Sequence, residues 1–329
     1  MPPTEVLSTP ATPSATASAL RRLADSGRLE LALPGSGGTI ERWRALADFT
    51  FGNVVVGRMV EAHADAAAIL AELGGAAVAR SQLWGVWAAE PPKPVLQATF
   101  GPDGWTLHGR KPWCSGATIC THALVTARAG DERRLFAVDL AQPSIRAVPD
   151  TWHAVGMRES DSGAVDFTDA VAEPIGEPGA YLTRPGFWHG AIGVAACWYG
   201  GACAVARTLH DRATDEHALA HLGAVMSGLH AAAVCLADAA REIDADPTDR
   251  ACTARLRART VRAVVEDAAT ATIDRVGRAL GAGPLCADAE HARRVADLTV
   301  YLRQSHAERD LAALGRDYAE KEFSWLPNR

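Results

Sequence analysis

The hydrophobic period of this chain changes twice, and the two changes divide it into three parts. Up to about residue 80 apolar residues recur in helical steps; between Ser81 and Glu173 they gather into short runs rich in β-branched and aromatic residues; after Pro178 the helical step returns and persists. The central runs, residues 95–100, 105–110, 123–127, 134–140 and 164–167, are separated by Pro-Asp-Gly, Gly-Asp and Asp-Ser-Gly turns, with no helical stretch between them. Strands that follow one another in this way make an antiparallel β domain and exclude the alternating order of a Rossmann sheet. The expected class is α+β: a disordered tail rich in Pro, Thr, Ser and Ala over residues 1–18, an N-terminal helical domain over 19–80, a β domain over 81–178 and a C-terminal four-helix bundle over 179–329.

Within the helical parts, residues 187–212 are crowded with small residues, as close helix packing requires. Leu219, Leu222, Met226, Leu229, Ala233, Leu236, Ala240 and Ile243 then alternate in steps of three and four, which is the pattern of a bundle seam. Asp246-Pro247-Thr248 ends that helix and opens a third, which stops at Gly281-Ala282-Gly283-Pro284; a fourth begins near Asp288. Near the N-terminus, Pro34-Gly35-Ser36-Gly37-Gly38 lacks the Gly-Lys-Ser/Thr of a phosphate loop and reads as a linker with Thr39 as the N-cap of the next helix. The polar trio Glu61, His63 and Asp65 in the helix after it is expected on a solvated or interfacial face.

Composition narrows the partners. The chain has 329 residues, 48% hydrophobic, with 33 basic and 39 acidic residues, a net charge of −6 and no block of one sign, so neither nucleic acid nor an anionic membrane surface is expected to bind. No run approaches 18 uninterrupted apolar residues, and no membrane span is expected. The N-terminal residues lack the basic and apolar regions of a signal peptide. Seven scattered cysteines without a Cys-x-x-Cys pair fit reduced thiols, and the expected location is cytoplasmic. His217 and His221 stand one helical turn apart, but no third metal ligand is indicated and no metal is expected.

The chemistry-bearing stretch is Gly109-Arg110-Lys111-Pro112-Trp113-Cys114-Ser115-Gly116-Ala117. An indole, a hydroxyl and a residue without Cβ lie within four positions, which suits a flat heteroaromatic ligand: the indole stacks, the hydroxyl bonds a ring nitrogen, and the backbone approaches closely. A buried edge strand is the plainer reading of the same residues. With Val155-Gly156-Met157-Arg158-Glu159-Ser160 and Val165-Asp166-Phe167-Thr168-Asp169-Ala170-Val171 following in order, and with helices on both sides, the chain resembles the acyl-CoA dehydrogenase superfamily of flavoproteins. Its N-terminal helical part is several tens of residues shorter than that family's. The resemblance implies a central antiparallel β-barrel, FAD as cofactor and a homodimer or homotetramer in which a neighbouring subunit completes the flavin site. An electron-transfer partner is a further implication.

Position by position, the resemblance places Trp113 against the flavin ring and the Ser115 hydroxyl near its N5. Trp87 and Ala89 stand in the family's flavin-touching loop, Ala89 replacing a threonine. Arg212 matches the arginine on the FAD pyrophosphate, and Gly281 and Gly283 match a glycine loop beside FAD, which also reads as a helix C-cap. The family's catalytic glutamate has no counterpart: its expected position falls near Ser305 or His306, and the alternative position early in the first bundle helix is empty. A histidine there resembles the superfamily's flavin monooxygenases, which makes His306 the catalytic candidate; a polar helix face beside Arg303, Glu308 and Asp310 is the alternative. Three functions remain open: dehydrogenation at the CH–CH group of an acyl thioester or related substrate, monooxygenation assisted by His306, and a non-catalytic flavin-fold scaffold.

Overall fold

The computed structural model describes residues 14–323. Most of the expected tail lies outside them, but its last residues belong to a helix: α1 (Ala15–Asp25) starts earlier than the periodicity suggests because the Ser14 hydroxyl accepts the Ala17 N–H at 3.1 Å. Helices α2 (Thr39–Gly52) and α3 (Val54–Leu73) are joined through Asn53, whose side chain accepts the N–H groups of Val55 and Val56 at 2.9 and 3.0 Å. Gly38, not Thr39, is the N-cap of α2. The Thr39 hydroxyl is engaged elsewhere: it accepts from the Gly35 N–H at 2.8 Å and bonds Asp244 at 2.6 Å. The Gly37 N–H also donates to Asp244, so the glycine-rich linker is wrapped around a carboxylate near the end of α6 (Glu216–Ala245).

The β domain contains seven strands: β1 (Trp84–Trp87), β2 (Gln97–Gly101), β3 (Gly104–Lys111), β4 (His122–Ala129), β5 (Glu132–Asp139), β6 (Ile145–Val148) and β7 (Ala164–Ile175). Strands β4, β2, β3, β7 and β5 pair in that order, and β5 returns to β4, closing a five-stranded barrel that leaves no free edge. Its interior holds Leu107, Val125, Phe136 and Phe167, all nearly inaccessible. β1 and β6 were not visible in the pattern, being four residues long each. β1 runs parallel to β4, with Trp84 opposite His122, and β6 lies along β7.

The helical body is built on α5 (Pro185–His210), which packs between α2 on one side and α7 (Ala254–Leu280) on the other. Gly200 makes the α2 contact: a Cβ there would lie 2.1 Å from the Ala47 carbonyl oxygen. The expected fourth bundle helix is two, α9 (Ala289–Leu302) and α10 (Glu308–Ala319), broken at a turn in which Ala307 has φ +46°; a short α8 (Gly283–Ala287) precedes them. A four-residue α4 (Ala180–Thr183) leads into α5. Helix α3 lies between the two bodies, against α5 and α9 on one side and β1 on the other.

The α6 seam is rotated from its expected setting. Ala218, Val225, Leu229, Ala232, Leu236, Ala239 and Ile243 are buried, whereas Leu219 and Met226 are about half exposed. The apolar stripe of α6 is wide enough to offer two overlapping three-and-four patterns, and α7 and α5, packed against it, cover only one of them. By length and composition alone α5 and α6 pass the test for a membrane-crossing helix; α5 is mostly enclosed by other helices, while only 22% of the most apolar window of α6 is buried.

Candidate functional site

Strand β3 ends at Lys111, whose ammonium group is buried inside the barrel and donates to the Thr126 carbonyl and hydroxyl oxygens at 2.6 and 2.9 Å; burial lowers its pKa to about 8. The chain then turns at Trp113, a non-glycine residue with φ +57°, which leaves the indole 57% exposed. The following residues lie against the segment before β7: the N–H groups of Cys114, Gly116 and Ala117 donate to the carbonyls of Gly163, Ser160 and Asp161. That pairing brings three hydroxyls into a chain, with Ser115 Oγ 2.9 Å from Ser162 Oγ and Ser162 Oγ 2.8 Å from Ser160 Oγ.

The chain of hydroxyls has a direction. Ser160 donates its only proton to the Met157 carbonyl at 2.7 Å, because a carbonyl can only accept. Ser162 must then donate to Ser160, and Ser115 to Ser162. Ser115 is left with lone pairs and no proton toward the cleft of about 760 Å³ that it lines with Trp113, Ala89, Trp152 and Tyr301.

The other wall of this cleft is charged. Glu61 and Asp65, one turn apart on α3, both line it, and both also line a second cavity of about 490 Å³ bounded by Tyr181, Phe187, Trp188 and Leu311. Glu61 is 4% exposed; one carboxylate oxygen accepts from Arg58 at 2.6 Å. Burial outweighs the attraction of Arg58, and the neighbouring Asp65 adds to it, so the Glu61 pKa rises to about 7. Burial likewise raises Asp65, whose nearest cation, Arg184, is 3.9 Å away and is hydrogen-bonded to Glu72 at 2.6 Å instead. Gly190 makes room for Asp65: a Cβ there would fall 2.5 Å from its carboxylate. The Tyr301 hydroxyl is buried in the same cleft and has no hydrogen-bonding partner among the described residues.

Of the solvated or interfacial face expected for Glu61, His63 and Asp65, the solvated alternative is corrected and the interfacial one holds. α3 is enclosed on both sides, so Glu61 and Asp65 turn into the cleft. His63 points the other way, where its Nδ1 accepts the Trp84 N–H at 3.3 Å and burial lowers its pKa to about 4.

The residues singled out from the sequence fall in three places. Trp113, Ser115, Ala89 and His306 line the cleft. His306 stands in the turn between α9 and α10, its side chain 60% exposed and its Nδ1 3.5 Å from Asp310. Trp87 is buried behind the cleft wall, where its indole N–H donates to the Ser115 carbonyl at 3.0 Å and fixes the backbone of that residue. Arg212, Gly281 and Gly283 are not at the cleft: Arg212 bonds Asp288 at 2.7 Å, Gly281 ends α7 with φ +64°, and Gly283 opens α8. His217 is exposed on α6, and among the described residues no group of three or more His, Cys, Asp or Glu gathers in a metal-binding arrangement. Ser160, Ser162, Glu61, Asp65 and Tyr301 were not identified as site residues from the sequence.

Residues 92–170 match the model of the acyl-CoA dehydrogenase middle domain. A dibenzothiophene monooxygenase of Rhodococcus erythropolis is 31% identical over 96 residues, which is 26% of this chain and 23% of that protein, so the aligned part is under a quarter of the relative's length. Among solved structures, TdsC from Paenibacillus sp. A11-2, in complex with FMN and indole, superposes with a TM-score of 0.80 at 18% identity, over 95% of this chain and 92% of that one. KijD3, in complex with FMN and a dTDP-linked amino-keto sugar, superposes with a TM-score of 0.78 at 19% identity, over 92% and 86% of the two chains. The middle-domain match covers residues 92–170, and the barrel and helices stand in the same arrangement as in TdsC and KijD3 along nearly the whole length, so the chain has the fold of these proteins.

Proposed function

We propose that the chain is a flavin-dependent monooxygenase acting on a small molecule held in the aromatic-walled cavity beside the cleft. The direction of the serine chain carries this reading. A reduced isoalloxazine presents an N–H where the oxidised ring presents a lone pair, and Ser115 faces the cleft as an acceptor only. The site is thus built to hold the reduced ring, the form that meets oxygen, rather than the oxidised ring that a dehydrogenase needs to receive hydride. The residues present fit such a ring: an exposed indole at the mouth of the cleft, an acceptor hydroxyl on its wall, and a backbone held from behind by Trp87. The flavin, when bound, supplies the two electrons with which one atom of O₂ enters the substrate and the other leaves as water. His306, at the lip of both cavities, is the group placed to exchange protons with solvent.

FMN fits the chain better than the FAD expected from the resemblance. Arg212, the residue matched to the FAD pyrophosphate, is already neutralised by Asp288. FMN is also the flavin in the complexes of TdsC and KijD3. The exposed small and apolar face of α6, with Leu219, Gly223, Met226, Ala231 and Val234, is assigned to a second copy of this chain. Its small residues suit close helix approach, and α6 begins at the same end of the bundle as Arg212, Gly281 and Gly283, which lie apart from their own cleft.

Anaerobic titration of the purified chain with oxidised and reduced FMN tests the reading. Reduced FMN is expected to bind about fivefold more tightly, and Ser115→Ala to erase most of that difference, since one hydrogen bond is worth about 1 kcal/mol. Equal or tighter binding of oxidised FMN, with bleaching of bound flavin by an acyl-CoA thioester, would establish dehydrogenation instead. No binding of either form would leave the scaffold.

A further inference from the structure

The family's catalytic glutamate is missing from both of its usual positions, yet a carboxyl group stands in the middle of the cleft on another helix. We propose that Glu61 is the proton-transfer group of this site: it takes the proton of a substrate O–H or N–H and returns it before the product leaves. In the forward step the heteroatom–hydrogen bond breaks, an O–H bond forms on Glu61, and the electron pair stays on the heteroatom. The substrate becomes more electron-rich and so accepts oxygen more readily. This deepens the monooxygenase reading and rests on it.

Position is the first argument. The residues common to both cavities are Glu61, Asp65, Tyr181, Val194, Gln304 and His306, so Glu61 stands where the flavin cleft meets the substrate cavity. Orientation is the second. Arg58 holds one carboxylate oxygen, and among the described residues the other accepts no hydrogen bond, which leaves it for a ligand. Selectivity among the four titratable groups there is the third. His306 is exposed and faces Asp310; Tyr181 is half-buried, with its phenol pushed up by desolvation, away from neutrality; Asp65 is the more exposed acid and faces Arg184. Glu61 alone of the four is buried, and that burial brings its pKa to about 7, where a proton carrier works best.

The charges that set this balance come from several elements. Arg58 and Asp65 lie on α3 itself, Arg42 on α2 and Arg262 on α7, with Tyr181 of α4, Arg184 before α5, Cys197 of α5 and Tyr301 of α9 close by. Arg42 and Arg262 are both tied to carbonyl oxygens, of Ala32 and Ala191, so neither closes on Glu61. The aromatic wall of the second cavity, Tyr181, Phe187 and Trp188, suits a ring carrying the acidic hydrogen.

Two measurements on the full chain without flavin test the proposal, with phenol as the protic probe and toluene as its aprotic counterpart. Infrared titration is expected to show a protonated carboxyl band that disappears near pH 7 and is absent from Glu61→Gln. Phenol affinity is expected to rise about tenfold per pH unit up to about pH 7 and then level, while toluene affinity stays flat. Glu61→Gln is expected to flatten the phenol curve and Glu61→Asp to restore it. Because Glu61→Gln leaves Arg58 without its counter-ion, the Arg58→Met/Glu61→Gln pair is measured beside it. A flat phenol curve in the parent chain, a slope that survives in both glutamine variants, or no binding of phenol overturns the role of Glu61. The FMN titration is separate: preference for reduced FMN with a flat phenol curve removes Glu61 alone, whereas loss of that preference removes the monooxygenase reading.

Discussion

Gly156 shows how closely the site depends on single positions. A Cβ on it would lie 1.9 Å from the Ala296 carbonyl oxygen, and the next residue donates its N–H to Asp297 at 2.5 Å, so α9 is pinned to the loop that ends the serine chain. Gly156→Ala is expected to cost about 3 kcal/mol by overpacking, read from urea denaturation, and to weaken reduced-FMN binding by displacing the Met157 carbonyl. The Trp113 and Ser115 positions were legible because their chemistry sits within a few residues. Glu61 and Asp65 were not, because what makes them a site comes from Arg184, Tyr301 and His306, far away in sequence. One local signal existed: Arg58, Glu61, Asp65 and Glu72 follow in steps of three, four and seven, a single charged stripe along a helix otherwise rich in Val and Ala.

At the scale of elements, the long helices and the order of the barrel strands were readable because their periods run for many residues. β1 and β6 were too short to show a period, and the rotation of α6 is decided by α7 and α5 rather than by its own sequence. If the uncovered face of α6 docks a second copy, Met226→Lys with Val234→Lys is expected to lower the solution mass from dimer or larger to monomer in light scattering, with the helix content unchanged. Two enclosed histidines, His63 on α3 and His189 on α5, have pKa values lowered from 6.5 to about 4 by burial. Their unfolded forms take up protons first, so their contribution is complete above pH 6.5 and is lost as pH falls toward 4, by up to about 1.4 kcal/mol per pH unit each. Glu61, raised to about 7, works in the opposite sense, weakening the fold as pH rises from 4.5 toward 7. Comparison with His189→Gln isolates the histidine effect: the variant is expected to lose less stability between pH 6.5 and 4, measured by urea midpoint.

Over the whole molecule, the cleft is formed by the barrel on one side and the helical body on the other, with α3 packed against both. A flavin bound there joins the two bodies, so saturating reduced FMN is expected to raise one common unfolding transition, by about 2.7 kcal/mol at a hundredfold excess over its dissociation constant. Two transitions moving separately in calorimetry would contradict that coupling. The contact of Gly200 with Ala47 has a consequence for how the chain is made. α2 finds its principal partner in α5, which begins only at Pro185, after the entire barrel. On the ribosome the apolar side of α2 therefore waits uncovered while the β domain is synthesised, and the first helices to emerge are among the last to settle.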